Sequence, residues 1–393
     1  MLRPNLAEAH EQYLGTRTFG SLNGARALCI LSVLWHHAPG GLHARLFERG
    51  FLGVDMFFVL SGFLIVTLLL RERDRTGSIS LKKFYARRTL RIFPIYYLVL
   101  FTLLLFYLLT KPGSSPARAY FATLPFLLTY TSNWVHVQAG NVGIMWSLAT
   151  EEQFYLGWPM IEKLLRPLGV ALVLTAVLVV NQLINFGVLD SFFATLYGGK
   201  PELPILDATF TPIALGVVLA HFLHAPRTFG FLYRLVGQPV SCAIFGVLLL
   251  ALVALLPGDI SGAGRLSIQI IMMLLLGALV VREHHWARPL MTFPPLAYLG
   301  AISYGMYVYH MWVIHPVRIG FARLGWPNPS LGYFLVALAC TAVVAGLSFR
   351  FIEEPLLRLK ARFASDAGTA ERQSRGVELS ALTEAPAAEG LGS

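Results

Sequence analysis

Long apolar runs recur along the whole sequence, and they constrain the fold more than any other feature. A helix needs about 20 predominantly apolar residues to cross a bilayer. Runs of that order stand at about 22–38, 53–70, 92–110, 146–164, 168–187, 206–224, 239–256, 265–282, 296–317 and 331–352. Only 13% of the 393 residues are charged, against about 25% in soluble domains. The sequence therefore predicts an all-α, polytopic membrane protein with about ten transmembrane helices.

Lys and Arg are concentrated beside particular runs, above all in "RERDRTGSISLKKFYARRTLR" (71–91), which holds eight of them. The positive-inside rule assigns such loops to the cytoplasm. With an even number of spans, this predicts that both termini are cytoplasmic in a multi-pass protein of the inner (plasma) membrane. The net charge of +10 is then explained by orientation and by anionic membrane lipids, so no nucleic-acid partner is expected.

The remaining sequence predicts three parts. Residues 1–20 form a cytoplasmic segment, residues 21–362 the transmembrane domain, and residues 363–393 a disordered cytoplasmic tail with few large apolar side chains. The run "AYFATLPFLLTY" (119–130) is too short to span and predicts an interfacial or re-entrant helix. The three cysteines lie in apolar runs without disulfide or metal-ligand spacing, so no metal site is predicted.

The first apolar run carries ionisable groups at both ends, in "ARALCILSVLWHHAPG" (25–40). Such groups are costly in a bilayer and usually functional. On a regular helix, Arg26 and His37 share one face and lie about 16 Å apart along the axis, whereas His36 points away. The pair is expected to bracket an extended ligand. The plainer interpretation is that Arg26 snorkels to the headgroups and His37 sits at the outer interface.

The second run carries a carboxylate near its outer end. Asp55 lies at the depth where His37 ends the first run, so it is predicted to orient or charge-stabilise that imidazole. Ser61 and Gly62 interrupt the same run at mid-depth. Small residues of this kind permit close helix packing, and packing is the role predicted for them.

Two later runs also contain ionisable groups. In "NVGIMWSLATEEQFYLGWPM" (141–160), Glu151 and Glu152 are placed at the outer part of the fourth run. Adjacent residues diverge by about 100° on a helix, so at most one of them is expected to face a shared cavity. In "AISYGMYVYHMWVIHP" (301–316), His310 lies at mid-span, and it is predicted to line the cavity with Glu151 and Tyr304.

Two basic segments complete the candidate residues. Arg87, Arg88 and Arg91 follow one another at helical spacing in "FYARRTLRIFPIYYL". Arginine suits phosphate recognition through bidentate hydrogen bonds, although anchoring on lipid phosphates explains the segment equally well. In "SFRFIEEPLLRLK" (348–360), Arg350 is expected to form an ion pair with Glu353 or Glu354 at the cytoplasmic end of the last run.

Six segments in chain order resemble the sequence blocks of membrane acyltransferase family 3, which includes bacterial O-antigen and exopolysaccharide O-acetyltransferases and macrolide acyltransferases. They are "LNGARALCILSVLWHH", "GVDMFFVLSGFLI", "FYARRTLRIFPIYY", "WSLATEEQFYLGWP", "ISYGMYVYH" and "SFRFIEEPLLRL". Arg26 and His37 match the family's Arg-x10-His motif, and Arg88 and Arg91 match its cytoplasmic arginine motif. The resemblance covers residues 20–355.

The sequence departs from the family in three respects. The family often has Asp where Asn23 stands, and Ser-Val where Ala149 and Thr150 stand. Asn caps helices well, so only a catalytic role at position 23 is put in doubt. The protein is also expected to lack the extracytoplasmic esterase-like domain that some relatives append, with the acceptor chemistry of that domain absent or supplied by another protein.

The resemblance implies an O-acyltransferase. The expected partners are cytoplasmic acyl-CoA, as a co-substrate and not a bound cofactor, and a carbohydrate or lipid-linked acceptor with a free hydroxyl. The acyl group is expected to be acetyl. Arg88 and Arg91, together with Arg26, are predicted to bind the CoA phosphates, and the pantetheine arm would extend toward the outer end of the first run.

For the transfer step, His37 is predicted to act as general base on the acceptor hydroxyl, because an imidazole exchanges protons near neutral pH. Asp55 or Glu152 would orient it. The alternative from another class is a secondary transporter or flippase, which would also bury ionisable groups. Binding of acyl-CoA discriminates the two, and a degenerate scaffold is disfavoured because the motif residues are all present.

Overall fold

The computed structural model describes residues 5–359 apart from 43, 138, 141, 200–202, 208–209 and 259. Within this part of the chain the regular secondary structure is entirely helical, without a strand. The all-α prediction is therefore confirmed for the described residues. The tail predicted over 363–393 lies outside them.

The described helices range in length from four residues to thirty. In chain order they are α1 Leu6–Gly15, α2 Ser21–His37, α3 Arg45–Glu48, α4 Leu52–Thr76, α5 Leu81–Thr110, α6 Ser115–Leu128, α7 Met145–Leu164, α8 Pro167–Asn185, α9 Asp190–Tyr197, α10 Pro204–Asp207, α11 Thr211–His224, α12 Pro226–Val236, α13 Ser241–Leu255, α14 Gly262–Val280, α15 Arg288–Met291, α16 Pro294–Ala301, α17 Ser303–Arg323, α18 Leu331–Ser348 and α19 Glu354–Leu359. A 3-10 turn occupies Ser132–Trp134, and a π-helical turn at Phe349–Glu353 joins α18 to α19.

Five helical stretches are long and apolar enough to cross a bilayer. These are α4, α5, α8, α14 and the continuous stretch Leu331–Leu359. Helices α11 and α12 meet at a bend of 109° and would add a sixth if they form one broken span. The protein is thus a membrane protein by length and composition of its helices, while ten spans and cytoplasmic termini remain predictions.

Some boundaries differ from those expected, for local reasons. Helix α5 begins at Leu81 and not at 92, because the Ser80 hydroxyl accepts a hydrogen bond from the Lys83 amide and caps it. A search for apolar windows detects only the later, lipid-facing part of such a helix. The run 296–317 is divided at Ile302 into α16 and α17.

The short run at 119–130 lies in α6, which packs antiparallel beside α5. The hydroxyls of Tyr96 and Tyr97 donate to the carbonyls of Leu127 and Leu128, at 2.8 and 3.0 Å. These two bonds attach the end of α6 to the middle of α5. The predicted short helix is present, and its interfacial or re-entrant position stays a prediction.

Glycines permit the closest helix crossings of the core. A Cβ added to Gly62 on α4 would collide with the Ile213 carbonyl on α11, and one added to Gly216 would collide with α4 in return. Likewise a Cβ on Gly300 of α16 would collide with the Asn23 carbonyl of α2. The packing role predicted for Gly62 is confirmed, since small residues let helix backbones approach in membranes.

Helix α2 runs without interruption from Ser21 to His37, so Arg26 and His37 share a face as predicted. Asn23 does not cap it: Gly20 is the N-cap residue, and the Asn23 side chain instead accepts from Arg26 Nη1 at 3.3 Å. The expected capping role of Asn23 is therefore wrong.

We call the end of the bundle where α4 ends and α5 begins the basic end.

Candidate active site

Basic and acidic side chains from α5, α7 and the π-helical turn come together toward the basic end. Arg88 and Arg91 both interact electrostatically with Glu151, Arg88 also with Glu152, and Arg91 with Glu353. We call these five residues the arginine layer. Four of them were candidates from the sequence, and the fold brings those four together from two different helices.

Glu151 is held by a short chain of hydrogen bonds. The Ser61 hydroxyl donates to Glu151 Oε1 at 2.5 Å, and the Tyr155 hydroxyl donates to Ser61 Oγ at 3.1 Å. The guanidinium of Arg88 lies over the Tyr155 ring, 4.9 Å from its centroid, in a cation–π arrangement. Ser61, for which the sequence predicted packing alone, thus also fixes a carboxylate of the arginine layer.

Glu152 lies in an aromatic environment. It interacts electrostatically with Tyr96, Tyr130 and Tyr304, and its Oε1 atom is buried without a hydrogen-bond partner among the described residues. The Tyr304 hydroxyl donates to the Ile92 carbonyl of α5 at 2.7 Å. Tyr304, an electrostatic neighbour of Glu152, thus joins α17 to α5, the helix that carries Arg88 and Arg91.

Glu353 is the member of the arginine layer that sequence reasoning missed. Its neighbour Glu354 forms the expected ion pairs, with Arg350 at 3.9 Å and Arg358 at 3.0 Å. Glu353 is instead 7% exposed, and its Oε1 atom has no hydrogen-bond partner within the described chain. The π-helical turn at Phe349–Glu353 changes the regular helical spacing, a feature frequent at functional sites.

A second polar group, which we call the imidazole pair, joins α2 to α17. The rings of His37 and His310 are 5.0 Å apart between centroids. His310 is completely buried, with Nδ1 at 2.6 Å from the Tyr307 carbonyl, whereas His37 is half-buried. His36 is exposed and contacts the Glu48 carbonyl at 2.8 Å, so the two adjacent histidines differ as helix geometry predicts.

Asp55 has a partner that the sequence did not suggest. Its two carboxylate oxygens accept from Arg265 Nε and Nη2, both at 2.8 Å, and from Gln269 Nε2 at 2.9 Å. No hydrogen bond or ion pair among the described residues joins Asp55 or Glu152 to His37. The predicted orientation of His37 by either carboxylate thus has no supporting contact.

Comparison with protein families decides the assignment. A family described as an acyltransferase domain, family 3, matches residues 19–350. The chain belongs to this family. The matched region contains the imidazole pair and every arginine-layer residue except Glu353. Within the described residues, no three His, Cys, Asp or Glu side chains are grouped as metal ligands.

Several family relatives are named for acetyl transfer. A provisionally named O-acetyltransferase of Staphylococcus aureus (strain COL) is 30% identical over 376 residues, which cover 89% of this chain and 59% of the relative. The peptidoglycan O-acetyltransferase OatA of Listeria monocytogenes is 28% identical over 359 residues, covering 86% and 55%. The O-acetyltransferase OatA of S. aureus (strain NCTC 8325) is 27% identical over 369 residues, covering 88% and 58%. The chain spans a little over half the length of these relatives, and no solved structure matches it.

Proposed function

We propose that this acyltransferase-family protein is a membrane-bound O-acyltransferase of the inner (plasma) membrane. It would move an acetyl group from cytoplasmic acyl-CoA to a hydroxyl of a glycan or lipid-linked acceptor. One observation supports the proposal: two partly buried polar groups stand at different depths of one helix bundle. The arginine layer lies toward the basic end, and the imidazole pair lies at the far end of α2. That spacing suits an extended donor with phosphates at one end and a reactive thioester at the other.

The arginine layer supports the binding of the donor. Arginines are always charged, and their planar fork matches phosphate oxygens. In the free protein, Glu151, Glu152 and Glu353 compensate Arg88 and Arg91, so the guanidinium groups are not buried without counter-charge. The phosphates of CoA would take over part of that role when the donor binds. Arg26, which shares a face of α2 with His37, would add a third guanidinium group for the phosphates.

The imidazole pair supports the chemical step. His37 is half-buried and therefore reachable, and an imidazole removes a proton from a hydroxyl efficiently near neutral pH. The hydroxyl oxygen would attack the thioester carbon as His37 takes its proton. The carbon–sulfur bond then breaks, and the CoA thiolate leaves and receives that proton.

The first test measures transfer of label from [14C]acetyl-CoA to membrane acceptors in inverted membrane vesicles. The His37→Ala variant is expected to lower the rate by about 10²–10⁴-fold, the usual contribution of a general base. The matched control is His315→Ala, because His315 is an exposed histidine on α17. A turnover near wild type in His37→Ala would exclude His37 as the base.

The acceptor is identified by a second experiment. Surface glycans and lipids of cells with the active protein are compared by mass spectrometry with those of cells carrying His37→Ala. A mass difference of one acyl group would identify the acyl chain and its acceptor together. Wild-type protein that binds no acyl-CoA and alters no glycan or lipid would instead favour a transporter.

A further inference from the structure

His310 carries a buried hydrogen-bond acceptor that no described residue uses. Its Nδ1 atom lies 2.6 Å from the Tyr307 carbonyl, and a carbonyl oxygen only accepts, so Nδ1 holds the proton. In a neutral imidazole the other nitrogen, Nε2, then carries the lone pair. That atom is buried without a hydrogen-bond partner among the described residues. An unmatched buried acceptor typically costs about 1–3 kcal/mol, so a donor is expected to approach it.

The ring of His37 lies beside the ring of His310. The two ring centroids are 5.0 Å apart with planes tilted by 45°, a separation that a hydrogen bond between ring nitrogens, or one bridging water, spans. His310 is 0% exposed and fixed by its bond to Tyr307. His37 is half-buried at the end of α2. One ring is therefore fixed, and the other can adjust to it.

Asp55, the carboxylate expected from the sequence to orient His37, is committed elsewhere. It accepts three hydrogen bonds from Arg265 and Gln269 and is 1% exposed. A base that uses one imidazole nitrogen needs its other N–H directed at an acceptor, which fixes the tautomer. The ring that lies beside His37 is the imidazole of His310.

We propose that His310 is the positioning residue of His37: its Nε2 atom accepts the N–H of His37 and leaves the opposite His37 nitrogen unprotonated for the acceptor hydroxyl. This inference rests on the proposed O-acyltransferase function. During transfer, the hydroxyl proton moves to that opposite nitrogen as the new carbon–oxygen bond forms, and it leaves on the CoA thiolate after the carbon–sulfur bond breaks. His310 keeps its own proton on Nδ1 throughout.

The test compares substitutions that keep or remove the acceptor. In inverted membrane vesicles with [14C]acetyl-CoA, His310→Phe is expected to lower the rate at saturating donor by about 10²-fold while the KM for acetyl-CoA stays within about twofold. His310→Gln retains an acceptor oxygen and is expected to recover most of that loss. His315→Phe changes an exposed histidine on the same helix. It serves as the control for the effect of any His→Phe substitution in α17 on folding and membrane insertion.

The outcomes separate this inference from the function on which it rests. If wild-type protein transfers no acetyl group, the proposed function fails, and the role of His310 fails with it. If wild type is active and His310→Phe stays within about threefold of it, His310 does not position the base. Equal losses in His310→Phe and His310→Gln would also overturn the proposal, because ring packing would then matter and not the acceptor. If His310→Phe does not insert in the membrane, His310→Met provides the same comparison.

Discussion

In the arginine layer, each guanidinium group lies near carboxylates, and one of them also lies over an aromatic ring. In the imidazole pair, the two ring centroids are 5.0 Å apart, and His310 Nε2 is buried without a hydrogen-bond partner among the described residues. Charge in the arginine layer is compensated by carboxylates, whereas Asp55, the carboxylate expected to serve His37, is bound to Arg265. A layer that binds anions needs exchangeable counter-charges, and a group that transfers protons needs a fixed tautomer.

The largest expected effect tests whether the ion pair between Asp55 and Arg265 is structural. Asp55→Ala leaves Arg265, whose side chain is only 15% exposed, without its counter-charge, which is expected to cost about 3 kcal/mol of stability. Thermal unfolding of the detergent-purified protein measures the loss. The control is the double variant Asp55→Leu with Arg265→Met, which removes both charges and is expected to regain most of the stability.

A second variant of Asp55 tests the contrast between the arginine layer and the imidazole pair. Asp55→Asn with an unchanged unfolding temperature and no acetyl transfer would make Asp55 a catalytic group. The imidazole pair would then resemble the arginine layer in depending on a carboxylate.

A smaller effect is expected when an arginine of the layer is removed. Arg88→Ala is predicted to weaken CoA binding by about 10–100-fold, because a hydrogen bond to a charged group contributes about 1.5–3 kcal/mol. Arg88→Lys keeps the charge but not the planar fork, so it should recover part of the affinity. Isothermal titration of CoA into the purified protein measures both variants.

The control for Arg88 is Arg358→Ala, since Arg358 is an exposed arginine in α19 that pairs with Glu354. It should leave the affinity for CoA unchanged. If Arg88→Ala binds CoA as tightly as Arg358→Ala does, the arginine layer orients the protein in the membrane and does not bind the donor.

Helix periodicity predicted what lies within one helix, and tertiary contacts decided the rest. The shared face of Arg26 and His37, and the divergence of His36, follow from the regularity of α2. The partner of Asp55 is 210 residues away in the chain, and no local pattern indicates it. The sequence brought Arg88 and Glu151 forward as separate candidates but contained no sign that Ser61 joins their surroundings.

Glu353 was missed for a different physical reason. Two adjacent glutamates beside Arg350 at a helix end suggest a surface ion pair, and the sequence gives no sign of which of the two is buried. The π-helical turn ends at Glu353 and α19 begins at Glu354, so the two side chains enter different surroundings. The Glu353 side chain packs against Gly305 of α17, where an added Cβ would lie 3.3 Å from Glu353 Oε1, and no local sequence pattern indicates this contact.

The smallest expected effect comes from this adjacent pair. Glu354→Gln removes ion pairs to Arg350 and Arg358, whose side chains are 72% and 77% exposed, so the loss of stability should be below about 1 kcal/mol. Glu353→Gln removes a buried charge near Arg91 and is expected to cost about 1–3 kcal/mol. Unfolding temperature and CoA affinity are measured for both variants. Equal, small effects of the two substitutions on both properties would place Glu353 at the surface with Glu354. The arginine layer would then consist only of its residues on α5 and α7.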